Sequence, residues 1–237
     1  MGLGRTGAPF AIQHWGVEPD IITTAKVPPF SFPFPSVLTA DSVLTARAAA
    51  TQGLCAGYGV LAAVIVAGPL CRTIAAGSGA HTQGHTHTAN PLSCAAAAAV
   101  LEYINDQRVV DTAAARGEYL GAALERQLGD SPIVGDIRGR GMFWGVELVS
   151  DKETKAPFDV SLGLTARIVA AGMASGIMLV GGSPGCADGV NGDQLQLSPP
   201  LVMTEAQIDH AVGLLAGAIE TARLEVEAEV AAEASSA

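Results

Sequence analysis

Basic side chains, aromatic rings and cysteines are all scarce in this chain of 237 residues. Lys and Arg total 13 against 23 Asp and Glu, a formal net charge of −10. Phosphate-rich partners need clustered cationic side chains, so neither a nucleic-acid nor a membrane partner is expected. Charged residues make up 15% and hydrophobic residues 49%, a composition that excludes intrinsic disorder. The four cysteines, Cys55, Cys71, Cys94 and Cys186, form no C-x-x-C pair and have no histidine at ligand spacing beside them. Neither a disulfide framework nor a zinc site is expected from them, and scattered thiols suit a reducing compartment. His81, His85 and His87 lie in a polar stretch without a carboxylate or cysteine at matching spacing, so they read as loop histidines and no metal is expected. A long hydrophobic run is lacking too. No charge occurs between Arg47 and Arg72, but Gly53, Gly57, Gly59, Gly68 and Pro69 interrupt that stretch. Its continuous apolar part, Val60 to Ala67, reads as a buried strand; a membrane span needs ~20 residues. Met1 to Phe10 has neither the basic patch nor the apolar run of a signal peptide.

What is present alternates between helix and strand signals. Pro19 to Lys26 ends in a β-branched run that reads as a short strand delivering Lys26 to its end. Residues 27–52 begin with alternating Pro and Phe and continue rich in Ala, Thr and Ser, which reads as irregular chain. Val60 to Val66 is a strand candidate and Pro69 to Ala76 a short helix or turn. Pro91 opens an alanine-rich helix reaching Asn105, and a second helix runs from about Val110 to Leu128. Arg138 to Gly141 reads as a turn before a strand from Met142 to Val149. Leu162 to Ala174 reads as helix, and Ile177 to Val180 and Gln194 to Ser198 as strands. Thr204 with Gln207 forms a capping box for a long helix reaching past Arg223. The class is α/β or α+β.

Several of these segments carry a common pattern. Gly2-Leu3-Gly4-Arg5-Thr6-Gly7 looks like a G-x-G-R-T-G loop, and Gly16-Val17-Glu18-Pro19-Asp20-Ile21 like a G-V-x-P-D-I run leading to a lysine. Gly84-His85-Thr86 followed by Asn90-Pro91-Leu92-Ser93-Cys94-Ala95 is similar to an H-G-x-T-Y-x-G-H-P-x-A-C-A segment. Arg138 to Val149 looks like R-G-x-G-x-x-x-G-I-E-L, and Leu197 to Glu205 resembles a P-P-L-x-I-T-x-x-E ending. In this order and spacing the chain resembles the C-terminal part of the class-III aminotransferases, the fold-type-I pyridoxal-phosphate enzymes. The likeness covers nearly everything except residues 27–52, and Asp188 to Asp193 looks most like the ω-amino-acid:pyruvate branch.

The resemblance implies an α/β fold: the end of the large pyridoxal-phosphate-binding domain over residues 1–95, interrupted by the insert 27–52, connecting helices over 96–128, and a smaller α+β C-terminal domain over 129–237. It implies transfer of an amino group between an amine or ω-amino acid and a 2-oxo acid, with pyridoxal 5′-phosphate as cofactor. Lys26 is then the amine that condenses with the cofactor aldehyde and afterwards shuttles protons. Thr86 is then a phosphate ligand reaching the neighbouring subunit's site, which implies a homodimer. Substrate-binding residues are not assigned. Arg138 and Arg140 read either as a bidentate grip on a substrate carboxylate or as exposed arginines of a turn.

Three departures from the pattern carry expectations of their own. The carboxylate that pairs with the pyridine nitrogen belongs upstream of the G-x-G-R-T-G loop, so this chain reads as a fragment, and an N-terminally truncated, inactive remnant is the alternative function. The K-G-L-x-x-G-Y continuation expected at Lys26 resumes only at Gly53-Leu54-Cys55-Ala56-Gly57-Tyr58, after 26 extra residues. These read either as a translated in-frame intron or as a lineage-specific loop. Finally, no arginine lies between Arg167 and Arg223, where some relatives keep one for the α-carboxylate, so the substrate stays open.

Overall fold

The computed structural model describes residues 4–26, 35–39, 61–80, 88–182 and 185–236. It divides into two compact units, Met1–Ala114 and Ala115–Ala237, each of mixed helix and sheet.

The first unit carries a short 3-10 helix, Ala11–Trp15, and then strands β1 (Ile21–Lys26), β2 (Pro35–Thr39) and β3 (Leu61–Val66). The sheet order is β1-β3-β2, with β3 antiparallel to β1 and parallel to β2. A central strand flanked on both sides suits the unbroken apolar run Leu-Ala-Ala-Val-Ile-Val, in which Ala63 and Ile65 are buried. Helix α1 (Gly68–Ala76) follows, then α2 (Pro91–Asp106) and the start of α3 (Val109–Leu128). Helix α2 begins where the sequence places it. Asn90 Oδ1 accepts from the amides of Leu92 and Ser93, both at 3.1 Å, and Pro91 occupies the first turn, where no amide donor is missed. One sequence expectation changes. Residues 27–52 are not irregular throughout, because Pro35–Thr39 adds to the sheet. Its proline stands at the first strand position and Val37-Leu38-Thr39 suit a pleated surface, so the edge of β3 admits it. The strand expected over Val60 to Val66 is present as Leu61–Val66. Among the described residues no helix is long and apolar enough to cross a membrane.

The second unit contains β4 (Val134–Arg140), β5 (Phe143–Leu148), α4 (Leu164–Ser175), β6 (Val180–Gly181), β7 (Asp193–Leu197) and α5 (Glu205–Ser236). Its sheet is antiparallel, in the order β4-β5-β7-β6. Arg138 and Gly139 lie within β4 instead of in a turn; the turn is Gly141 and Met142 alone, since Arg140 pairs with Phe143. A two-residue hairpin loop needs a positive φ, and Gly141 supplies it at +55°. Val146 and Leu148 point inward from β5 onto a core that includes Leu124, Ile168, Leu195, Ile208 and Leu215. Each such side chain contributes about 1.5–3 kcal/mol by leaving water. The capping box forms as the sequence indicates. The Thr204 amide donates to Gln207 Oε1 at 2.9 Å and the Gln207 amide to Thr204 Oγ1 at 3.3 Å. Helix α5 runs on to Ser236 and packs against α4, with Ala222 and Val226 buried and ion pairs from Arg167 to Glu225 and Glu229.

Candidate active site

The resemblance singles out Lys26, and the backbone places it at the last position of β1, opposite Leu61. The ladder that holds it starts one residue before the strand, where the Ala67 amide donates to the Asp20 carbonyl at 2.8 Å. Every residue from Ile21 to Lys26 is then in register with β3. The lysine's Cα is therefore positioned by a whole strand pair, which suits a group that must meet a reacting atom. The other two lysines of the chain are committed elsewhere. Lys152 Nζ donates to the carbonyls of Gly129 and Ser131 at 2.5 and 3.2 Å, and Lys155 Nζ to that of Gly135 at 2.6 Å. Thr86, together with His81, His85 and His87, lies outside the described residues.

Upstream of β1 the structure adds a clamp that sequence reading did not anticipate. Gly4 to Gly7 is a tight turn closed by the Gly7 amide on the Gly4 carbonyl at 2.9 Å. Gly7 has φ +82°, and a Cβ there would come within 2.8 Å of Ala114 Cβ, so no other residue fits. His14 Nε2 reaches back from the 3-10 helix to both the carbonyl and Oγ1 of Thr6, each at 3.1 Å. A carbonyl only accepts, so Nε2 is the protonated ring nitrogen. Arg5 is buried in the same turn, and burial pulls its guanidinium below the ordinary arginine value. The spacing of eight residues between Thr6 and His14 gave no periodic signal; only the fold of the turn brings them together. A cavity of about 680 Å³ opens beside this turn, lined by Gly7, Ala8, Pro9, Gln13, Ile104 and Arg108 among others.

In the second unit Arg138 is already engaged. Asp136 and Glu147 face one another across β4 and β5, a like-charge pair that is unfavourable unless neutralised. The Arg138 guanidinium donates to both carboxylates at 2.5 Å, and its hydrogen bonds to Glu147 and then Asp136 hold it above its ordinary value. This is a cross-strand neutralising role, which leaves the carboxylate-grip reading of Arg138 without support. Arg140, at the end of β4, is exposed.

The stretch Asp188 to Asp193 has turn and capping work. Asp193 is buried and accepts from the Thr165 amide at 3.0 Å and Thr165 Oγ1 at 2.6 Å, capping α4 from another element. Asp188 accepts from the amides of Val190 and Asn191 at 2.8 and 2.6 Å and from Asn191 Nδ2 at 2.9 Å. The Asn191 side chain, and then the two amides, hold the Asp188 carboxyl below the usual carboxylate range. A depressed folded-state value means that the charged form favours the folded loop. Its contribution is present at neutral pH and lost as pH falls through the folded value. Protection of the Val190 and Asn191 amides, measured against the intrinsic exchange rate at the same pH, is expected to fall as acid protonates Asp188, and to be lost at about pH 7 in an Asp188→Ala variant. Equal protection of both amides in that variant would contradict the role.

A model of the aminotransferase class-III family matches residues 1–219 of the chain. The chain belongs to the class-III aminotransferases. An aminotransferase of Gibberella zeae is 35% identical over 219 residues, covering 92% of this chain and 38% of the relative. Among solved structures, a transaminase from a marine Virgibacillus superposes with a TM-score of 0.78 at 26% identity, over 95% of this chain and 44% of that one. A thermostable (S)-enantioselective omega-transaminase from Thermomicrobium roseum gives a TM-score of 0.70 at 30% identity, over 95% and 41%. The class-III chain thus spans about two fifths of the length of these relatives.

Proposed function

We propose that the whole protein is a pyridoxal-phosphate-dependent aminotransferase acting between an amine or ω-amino acid and a 2-oxo acid, and that Lys26 is its reacting amine. The observation that carries this reading is the position of Lys26 at the end of a fully registered strand, within a class-III chain whose other lysines donate to backbone carbonyls. By resemblance, Lys26 would hold the aldehyde end of the cofactor and Thr86 one side of its phosphate. A carboxylate for the ring nitrogen belongs to the same site by resemblance and is not among the motifs carried here. When bound, the cofactor supplies an electron sink for the substrate's amino-bearing carbon. Lys26 Nζ would hold the cofactor through its aldehyde group, with release of water, and, once freed by substrate, would take the proton from the substrate's amino-bearing carbon and deliver it to the former aldehyde carbon. The Thr86 hydroxyl orients the phosphate from the neighbouring subunit of a homodimer. In this reading residues 1–95 end the large fold-type-I domain, 96–128 connect, and 129–237 form the small C-terminal domain. Similarity of Asp188 to Asp193 to the ω-amino-acid:pyruvate branch, and an omega-transaminase among the similar structures, support amines or ω-amino acids as donors.

Incubation of the protein with pyridoxal 5′-phosphate, reduction with borohydride and peptide mapping tests the reading. The cofactor mass is expected on the Lys26 peptide and not on those of Lys152 or Lys155. A label spread over all three lysines sinks it. The alternative reading is an inactive remnant of such an enzyme. That reading predicts no fixed cofactor at all.

A further inference from the structure

Residues 27–52 are absorbed by none of the above. We propose that they are an in-frame intron retained in this chain, and that a second form of the protein joins Lys26 directly to Gly53. The strand register is the first support. Strands β1 and β3 pair antiparallel from Ile21 with Val66 to Lys26 with Leu61, so the chain between them leaves and returns within about 5 Å. Thirty-four residues, 27–60, make that connection here; without 27–52 it would be the eight residues Gly53 to Val60, three of them glycine. Eight residues exceed the commonest hairpin loops of about 2–5 but stay below the ~12 at which structureless loops become unusual.

The position of β2 is the second support. It is the described part of the segment, and it pairs along the outer edge of β3, not between β1 and β3. Removing it uncovers one sheet edge and leaves every rung of the β1–β3 ladder in place.

The coding constraints are the third. An intron that begins at a codon boundary opens with GT, as every valine codon does, and Val27 stands directly after the last paired residue. It must close with a codon ending in AG, which only Lys, Gln and Glu provide without a stop. Between residues 27 and 60 the single such residue is Gln52, directly before Gly53. Leu44-Thr45 can be written CTA-AC, a branch-point core upstream of that end, and the Pro and Phe run accords with a pyrimidine-rich stretch. The segment is 26 codons, so excision of 78 nucleotides keeps the frame.

The proposal stands apart from the activity, and so does its test. The transcript is amplified and sequenced across the codons of Lys26 and Gly53, and the chain is expressed with and without 27–52. A message 78 nucleotides shorter is expected, with CAG at Gln52 in the gene. A CAA codon there, or messages of full length only, overturns the proposal. The shortened protein is expected to unfold cooperatively. Loop-closure entropy, scaling with the 34 against eight connecting residues, shifts its folding equilibrium by up to about ninefold toward the folded state. Loss of cooperative unfolding in the shortened protein, where the full chain unfolds cooperatively, overturns the claim that the segment is removable.

Discussion

A Lys26→Ala protein is expected to fix no cofactor under borohydride and to lose transamination by at least about 10³-fold. On the proposed reading, removing the amine would take away both the covalent attachment and the proton carrier, and positioned proton transfer alone contributes about 10²–10⁴-fold. Folding is expected to be unaffected, because the β1–β3 pairing of residue 26 is made by backbone groups that alanine keeps. The measurement is cofactor retention by mass, amino-group transfer to a 2-oxo acid, and the thermal midpoint of the same preparations. Added alkylamines give a second readout. A small amine restores part of the rate if only the amine is missing, and it leaves a merely misfolded protein unchanged. Retention of fixed cofactor in the alanine variant would remove Lys26 from the site.

Gly117→Ala is expected to lower the thermal midpoint by on the order of 10 °C, a loss of about 2–3 kcal/mol. A Cβ on Gly117, within α3, would stand 2.2 Å from the carbonyl carbon of Gly141 and 2.3 Å from its Cα and oxygen. These are backbone atoms of the β4–β5 turn, so no side-chain rotation relieves the clash. The same approach is made one turn along α3, where a Cβ on Gly121 would lie 2.3 Å from the Trp144 ring, whose Nε1 donates to the Gly141 carbonyl at 2.7 Å. Alanine is intrinsically better than glycine in a helix by up to about 1 kcal/mol, which opposes the loss without cancelling it. Gly217→Ala on α5 is the control. Nothing lies within 4 Å of a Cβ there, so the midpoint is expected to rise slightly. Circular dichroism melts of the two variants should therefore shift in opposite directions, and a Gly117→Ala midpoint at or above that of the parent would refute the packing argument.

The two variants also mark what can be read without a structure. Helix starts at Pro91 and Thr204 are legible because a cap and its partners lie within three residues of one another. The class-III motifs are legible because each is a short run whose spacing is kept along the chain. The turn at Arg138 was misplaced, since the sequence Arg-Gly-Arg-Gly has turn composition, whereas pairing with β5 extends the strand to Arg140. The Thr6–His14 clamp and the Asp193 cap on Thr165 join residues at spacings that follow no helical or strand period, so neither left a pattern to find.

The sequence by itself determined the family, the lysine that is the candidate amine, the helix boundaries set by local caps, and the composition that sets residues 27–52 apart. Those features depend on side chains a few positions apart, or on composition. Only the tertiary structure decided that Lys26 faces Leu61, that Arg138 neutralises two facing carboxylates, and that α3 needs glycine against the β4–β5 turn. Each of these is set by which elements pack together and in what register. That choice follows from the burial of whole strands and helix faces, which no local run of residues encodes.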